Sequence, residues 1–233
     1  MALARSLVLC YHAVTDTWDD RLAVPPTEFG RQIAALLRGR RPGTAADAVA
    51  HRRGILHVTF DDALVSILEA LPLIERYSVS ATVFACGAYG DGRQLAIPEL
   101  SGSRYGEAGL RTLTWDGLRE LRQRGVEIGS HTMTHAHLTR LADDELDREL
   151  VEGKRWIEDE LGGPCRFLAY PFGEVDDRVR AAARRTGYAG AFGLPGTPGD
   201  EFDLPRVGLY RRDSVGRALL KASPLGRWAN ERQ

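Results

Sequence analysis

Lysine is nearly absent from this chain, occurring only at Lys154 and Lys221, although Lys and Arg together number 31. Arginine therefore carries the basic charge, and 32 Asp and Glu offset it to a formal net charge of -1. A chain so balanced has no cationic surplus with which to wrap a polyanion, so nucleic-acid binding is not expected. Cysteine is also scarce. Cys10, Cys86 and Cys165 are odd in number, lack CxxC spacing and sit in apolar runs, which argues against a disulfide framework or thiolate metal site and leaves them as small core residues. Long apolar runs are missing. The stretch Leu7-Val8-Leu9-Cys10 is shorter than a signal-peptide core and runs into Tyr11-His12 without a small-residue cleavage site. No other stretch approaches membrane-spanning length, so a cytoplasmic location without a membrane span is expected. Internal repeats and low-complexity tracts are absent as well.

What is present is a chain of 233 residues, 43% hydrophobic, enough to bury the core of one α/β domain over 1–233. Short β-rich apolar runs alternate with helical patterns along nearly the whole length, the arrangement of βα units around a parallel sheet. Strands are predicted over 6–12, 55–60, 81–86, 126–130, 166–170, 189–193 and 206–210, and that number suffices to close a barrel. The clearest helix follows the fourth strand, with Leu146, Leu150, Ile157 and Leu161 on one stripe, Asp143, Asp144 and Glu145 at its start and Gly162-Gly163 at its end. Others are predicted over 27–37, 64–77, 114–124 and 175–186. Two Gly-rich loops, 87–112 and 194–201, stand out; the first is long enough to wall a substrate groove or to be a surface insertion.

Three segments carry chemistry. The strand over 55–60 runs into Asp61-Asp62, and adjacent carboxylates beside a buried strand require a positive partner, such as a metal ion, unless Asp62 merely caps the next helix. The following segment, Ser130-His131-Thr132-Met133-Thr134-His135-Ala136-His137, spaces His131 and His135 four apart, as on one side of a helical turn, so that both imidazoles reach one point. Together with Asp62 they form a set of two imidazoles and one carboxylate that leaves coordination positions open, suiting catalytic Zn²⁺ and also Co²⁺, Ni²⁺ or Fe²⁺. His137 is read as a neighbour of the set. The third segment, Tyr170-Pro171-Phe172-Gly173, ends a strand in a fixed turn whose backbone N–H is suited to face an oxyanion.

Thr59-Phe60-Asp61-Asp62, then Ser130-His131 to His135, then Tyr170-Pro171-Phe172-Gly173 resemble the first three motifs of the polysaccharide deacetylases (the NodB-homology family), in the family's order and across about half the chain. The resemblance implies a distorted (β/α) barrel of about seven parallel strands, with its site at the C-terminal rim. It also implies Asp61 as general base, Asp62, His131 and His135 as metal ligands, and an oxyanion contact from Phe172. Two departures stand out. The arginine that steers the base in typical members would fall at Ala169, so Arg166 or Arg206 is expected to substitute. No histidine follows His137; His12, in an opening Tyr11-His12 that resembles the start of many members, is the candidate for the acid role of the family's C-terminal Leu-x-His, the alternative being that it packs or hydrogen-bonds beneath the site. The expected substrate is an N-acetylated sugar, oligosaccharide or glycoconjugate. The alternatives are an O-acetyl esterase of the same family and a non-catalytic carbohydrate-binding relative. No motif sets the oligomeric state.

Overall fold

The computed structural model describes residues 6–97, 107–224 and 226. In chain order the elements are β1 (Leu7–Tyr11), β2 (Ala13–Val14), β3 (Ala23–Val24), α1 (Pro26–Leu36), β4 (Arg41–Pro42), α2 (Ala45–Val49), β5 (Ile55–Phe60), α3 (Leu71–Arg76), β6 (Ala81–Ala85), α4 (Trp115–Gln123), β7 (Glu127–Ser130), α5 (Asp143–Leu161), β8 (Phe167–Ala169), α6 (Asp177–Arg185), β9 (Gly190–Phe192), β10 (Val207–Gly208) and α7 (Val215–Ala222). The main sheet runs β10-β1-β5-β6-β7-β8-β9, with β4 joined to β5, and every ladder in it is parallel. It curls into a half-barrel, and one isolated parallel bridge joins Phe192 of β9 to Leu204, in the segment that leads into β10.

The predicted strands all form, shorter by a residue or two at most ends. The expected helix over 64–77 is broken: a 3₁₀ turn covers Val65–Ala70 before α3 begins. Pro72 lies in the first turn of α3, where its missing N–H costs nothing but where it also prevents one continuous helix. The elements β2, β3, β4, α2 and α7 are too short or too weakly patterned to have been expected. Part of the 87–112 segment, residues 98–106, lies outside the described residues. The rest is tied down by antiparallel bridges, Gln94 with Arg111 and Asp91 with Thr114. Among the described residues, no helix is long and apolar enough to cross a membrane.

The pleat of the strands sorts their side chains into two layers. Leu7, Leu9 and Tyr11 of β1 and Leu56, Val58 and Phe60 of β5 join the large core beneath the helices, with Phe29, Ile33, Leu146 and Leu150. The alternate positions face the barrel interior, where Val8, Ile55, Phe84, Phe167 and Phe192 pack together. The same inward face carries His57, Thr59 and Asp61 up β5.

His57 shows what that interior demands. It is 1% exposed, with Nδ1 2.9 Å from Gly43 O and Nε2 2.9 Å from Thr82 Oγ1. Burial lowers its pKa to about 4, and the bond to the Gly43 carbonyl opposes this only partly. An unfolded histidine titrates near 6.5, so between there and about pH 4 the unfolded chain binds a proton that the folded chain refuses. Stability therefore falls as pH drops through this window, by about 2–3 kcal/mol from this residue. Urea unfolding at pH 7 and pH 4.5 should show a correspondingly smaller acid loss in His57→Asn than in the wild type. Equal losses would mean that His57 titrates normally.

Candidate active site

The pleat delivers His12, Asp61 and His131 to one rim, each just past the C-terminal end of an inward-facing row on β1, β5 and β7. Asp62 would point the other way in a continuing strand. Instead Asp62 (φ 71°) and Ala63 (φ 50°) turn left-handed and fold its carboxylate back over the rim. Asp62 caps no helix, since the 3₁₀ turn after it starts from Leu64 without a side-chain cap.

The His131 to His135 segment is a loop and not the expected helical turn, with Thr132 at φ 68° and His135 at φ 65°. Its shape is held from outside. Glu149 on α5 accepts from Met133 N at 3.0 Å, from Thr134 N at 2.9 Å and from the Thr134 hydroxyl at 2.6 Å. The loop lies directly on α5 at Gly153, where a Cβ would stand 2.6 Å from the Thr132 carbonyl carbon. The two imidazoles converge all the same, with ring centroids 4.9 Å apart.

Asp62 Oδ1 lies 3.2 Å from His135 Nε2 and 3.5 Å from His131 Nε2. His131 Nδ1 is 2.8 Å from the Ala169 carbonyl, which can only accept, so the proton sits on Nδ1 and Nε2 presents its lone pair to the carboxylate. Burial lowers His131 to about pKa 4, which keeps it neutral although Asp61 opposes the shift. Burial would lower His135 too, but contact with Asp62 raises it. Asp62 Oδ1 is buried without a hydrogen-bond partner, as is His135 Nδ1. Ligand atoms of the three residues lie within 4.8 Å of one another. Oxygen and nitrogen lone pairs facing each other in a dry pocket fit a divalent cation of the zinc class between them.

Asp61 is held differently. Arg206 Nη1 donates to Oδ1 at 2.6 Å and Nη2 to Oδ2 at 2.9 Å, while the Cys10 thiol lies 3.4 Å from Oδ2. Burial would raise this carboxyl, but the guanidinium beside it holds it well below the usual range. Every Arg206 nitrogen is bonded, with its remaining contacts going to Gly193 O at 3.1 Å and Thr59 Oγ1 at 3.1 Å. Arg166, the other candidate partner, is elsewhere: it precedes β8 on the outward face and pairs with Glu127 at 2.7 Å. Cys10, His12 and Asp61 also bring three ligand atoms together. Both Asp61 oxygens are already bound to a fixed positive charge, however, so a second cation there would be repelled.

At the end of β8, Phe172 adopts φ 60° between Pro171 and Gly173. The two hydrogen bonds of this turn are donated by Gly173 and Glu174, leaving the Phe172 N–H outside both. Tyr170 is not in the pocket as expected. It is fully buried on the helix side of the sheet and donates to Phe202 O at 2.6 Å, anchoring the turn from behind. His137 stacks on Phe172 with centroids 3.8 Å apart and is 3.0 Å from Glu174. Cys10, expected only as a core residue, touches Asp61, and Thr59 accepts from Arg206; counting in twos back from His12 and Asp61 places both on the inward face. No local pattern marks Glu149 or Glu174, since their partners lie on other elements.

The family model for polysaccharide deacetylases matches residues 48–191, more than half the chain. A peptidoglycan-N-acetylglucosamine deacetylase of Bacillus cereus is 27% identical over 60% of this chain and 56% of its own length. A chitooligosaccharide deacetylase of Sinorhizobium fredii is 27% identical over 68% of this chain and 62% of its own. The chain thus spans about three fifths of these relatives. In fold it is similar to the Streptococcus pyogenes deacetylase PplD (TM-score 0.76, 21% identity, 96% of this chain and 100% of that one). It is equally similar to IcaB from Ammonifex degensii (TM-score 0.76, 24% identity, 94% and 98%). Matched across both halves of the rim that hold the paired carboxylates and the converging histidines, the chain belongs to the polysaccharide deacetylase family.

Proposed function

We propose that this protein is a metal-dependent deacetylase that hydrolyses the acetamido group of an N-acetylated sugar, oligosaccharide or glycoconjugate to acetate and a free amine. The observation that carries the reading is the division of labour between neighbouring carboxylates: Asp62 faces two imidazoles with a buried, unpartnered oxygen, while Asp61 is tied to a guanidinium. Asp62, His131 and His135 would hold the ion, with Zn²⁺ suiting the donor set best. Bound there, a divalent cation would supply a water acidified toward neutrality and polarisation of the acetyl oxygen.

The chain's own residues supply the rest. A carboxylate offers about four lone-pair sites, and Asp61 uses three of them on Arg206 and Cys10, leaving one on Oδ1 for a water proton. A base held so low in pKa works only against a water whose own pKa has been lowered, which couples Asp61 to the neighbouring ligand set. The Phe172 N–H, outside the hydrogen bonds of its turn, would donate to the oxyanion that forms as the water oxygen bonds to the acetyl carbon. As the C–N bond breaks, His12 gives its proton to the nitrogen, and the proton taken by Asp61 restores it. An O-acetyl ester would leave with less help from an acid, so the esterase reading is the one to separate.

Asp61→Asn should lower turnover by about 10²–10⁴-fold while elemental analysis finds the wild-type metal content. His135→Ala should lose the metal itself. Wild-type turnover in Asp61→Asn would remove the base assignment. Arg206→Leu, which leaves a buried carboxylate unpaired, should cost about 3–5 kcal/mol in urea unfolding, and a loss under 1 kcal/mol would show that Asp61 is compensated otherwise. Acetate release measured side by side from N-acetylglucosamine oligomers and acetylated xylan should favour the oligomers; preference for xylan would transfer the assignment to the esterase.

A further inference from the structure

Tyr210 is the register neighbour of His12. Strand β10 pairs with β1 so that Leu9 lies opposite Val207 and Cys10 opposite Gly208. Two residues further along each chain, Tyr210 falls opposite His12 and, by the pleat, on the same inward face. The rings lie accordingly, with centroids 6.3 Å apart and planes 25° from parallel, an offset arrangement of two flat side chains. Gly208 makes room for the phenol: a Cβ there would stand 2.8 Å from the Tyr210 hydroxyl and 3.1 Å from its ring.

Tyr210 is clamped in turn. Its N–H donates to Asp213 Oδ2 at 2.9 Å, and Lys221 Nζ on α7 donates to the same oxygen at 2.6 Å and to Gly208 O at 3.1 Å. That ammonium lies 5.0 Å from the centre of the Tyr210 ring. The Asp213 carbonyl accepts from Gln32, whose amide oxygen accepts from the Tyr11 hydroxyl at 2.9 Å. The tether thus begins and ends at His12 and the residue before it. His12 needs such support, because its Nδ1 is buried without a hydrogen-bond partner. An imidazole that passes protons is ordinarily aimed by a bond at its far nitrogen. Here a ring contact stands in for that bond.

We infer that Tyr210 is the positioning residue of His12, and that with the Lys221–Asp213 pair behind it Tyr210 sets how well the enzyme cleaves an amide relative to an ester whose leaving group needs no proton. The inference rests on His12 being the proton donor. Tyr210, Asp213 and Lys221 all lie beyond residues 48–191, the part matched by the family model. Arg21 and Arg206 act on Tyr210 electrostatically and Arg217 lies 4.0 Å from Asp213, but the compact ammonium of Lys221, one of the chain's two lysines, reaches a carboxylate, a carbonyl and a ring face at once.

The test compares metal-loaded wild type, Tyr210→Phe, Tyr210→Leu, Lys221→Met and His12→Ala on N-acetylglucosamine oligomers and on p-nitrophenyl acetate, whose phenolate departs unprotonated. Tyr210→Leu should lower kcat on the oligomers about tenfold or more, with KM and the aryl ester rate within about twofold of wild type. Tyr210→Phe, which keeps the ring, should restore the oligomer rate, and Lys221→Met should show a smaller loss with the same selectivity. Equal losses on both substrates in Tyr210→Leu, or no loss on the oligomers, would overturn the role of Tyr210 while leaving His12 as the acid. Oligomer turnover that survives His12→Ala, or a wild type inert on the oligomers, would overturn both. Should Tyr210→Leu fail to fold, Lys221→Met and Gly208→Ala, which move the ring from behind, must show the selective oligomer loss, and its absence in both would overturn the inference.

Discussion

Two carboxylates side by side, each only a few per cent exposed, cannot both stay ionised inside a protein without separate compensation. The fold meets this demand from two directions. Arg206 rises through the barrel interior and takes both oxygens of Asp61 in a fork, while Asp62 is turned away toward two imidazoles. The charge on one carboxylate is settled by the chain, and the other is left facing lone pairs. That asymmetry between chemically identical neighbours is what allows two roles to be assigned to them.

The arrangement is bought with backbone strain. Among the described residues with positive φ that are not glycine, Asp62, Ala63, Thr132, His135 and Phe172 all belong to the site. Each such residue costs on the order of 1–3 kcal/mol and persists only where its surroundings hold it. Those surroundings are visible: Glu149 ties down the loop between the histidines, Gly153 lets that loop lie on α5, and Pro171 and the buried Tyr170 fix the turn at Phe172. The helices thus serve the site directly as well as covering the sheet.

Much of the strand pattern was legible because parallel strands covered on both faces are apolar along their whole length. The β5 run, buried at all six positions, was found to the residue. Short elements such as β2, β3 and β4, with two residues each, carry too little pattern to be seen. The histidine spacing points to two imidazoles that do converge, but not through a helical turn: convergence comes from two left-handed residues in a loop, a conformation that no spacing rule predicts. The choice between Arg166 and Arg206 turns on the face each occupies: both precede parallel strands, but Arg206 alternates with Gly208 on the inward side and reaches Asp61, whereas Arg166 alternates with Leu168 on the helix side.

The sequence by itself determined the chemical inventory: which carboxylates, imidazoles and turn residues stand at the ends of inward-facing rows, since a two-residue pleat is a property of the strand alone. Tertiary structure alone decided which of these groups meet. Arg206 reaches Asp61 across 145 positions, and Tyr210 reaches His12 through the pairing of the first strand with the last. Contacts at such separations depend on the order and curl of the sheet, and burial then makes them count, because a charge or a ring removed from water interacts strongly only with what the fold has placed beside it.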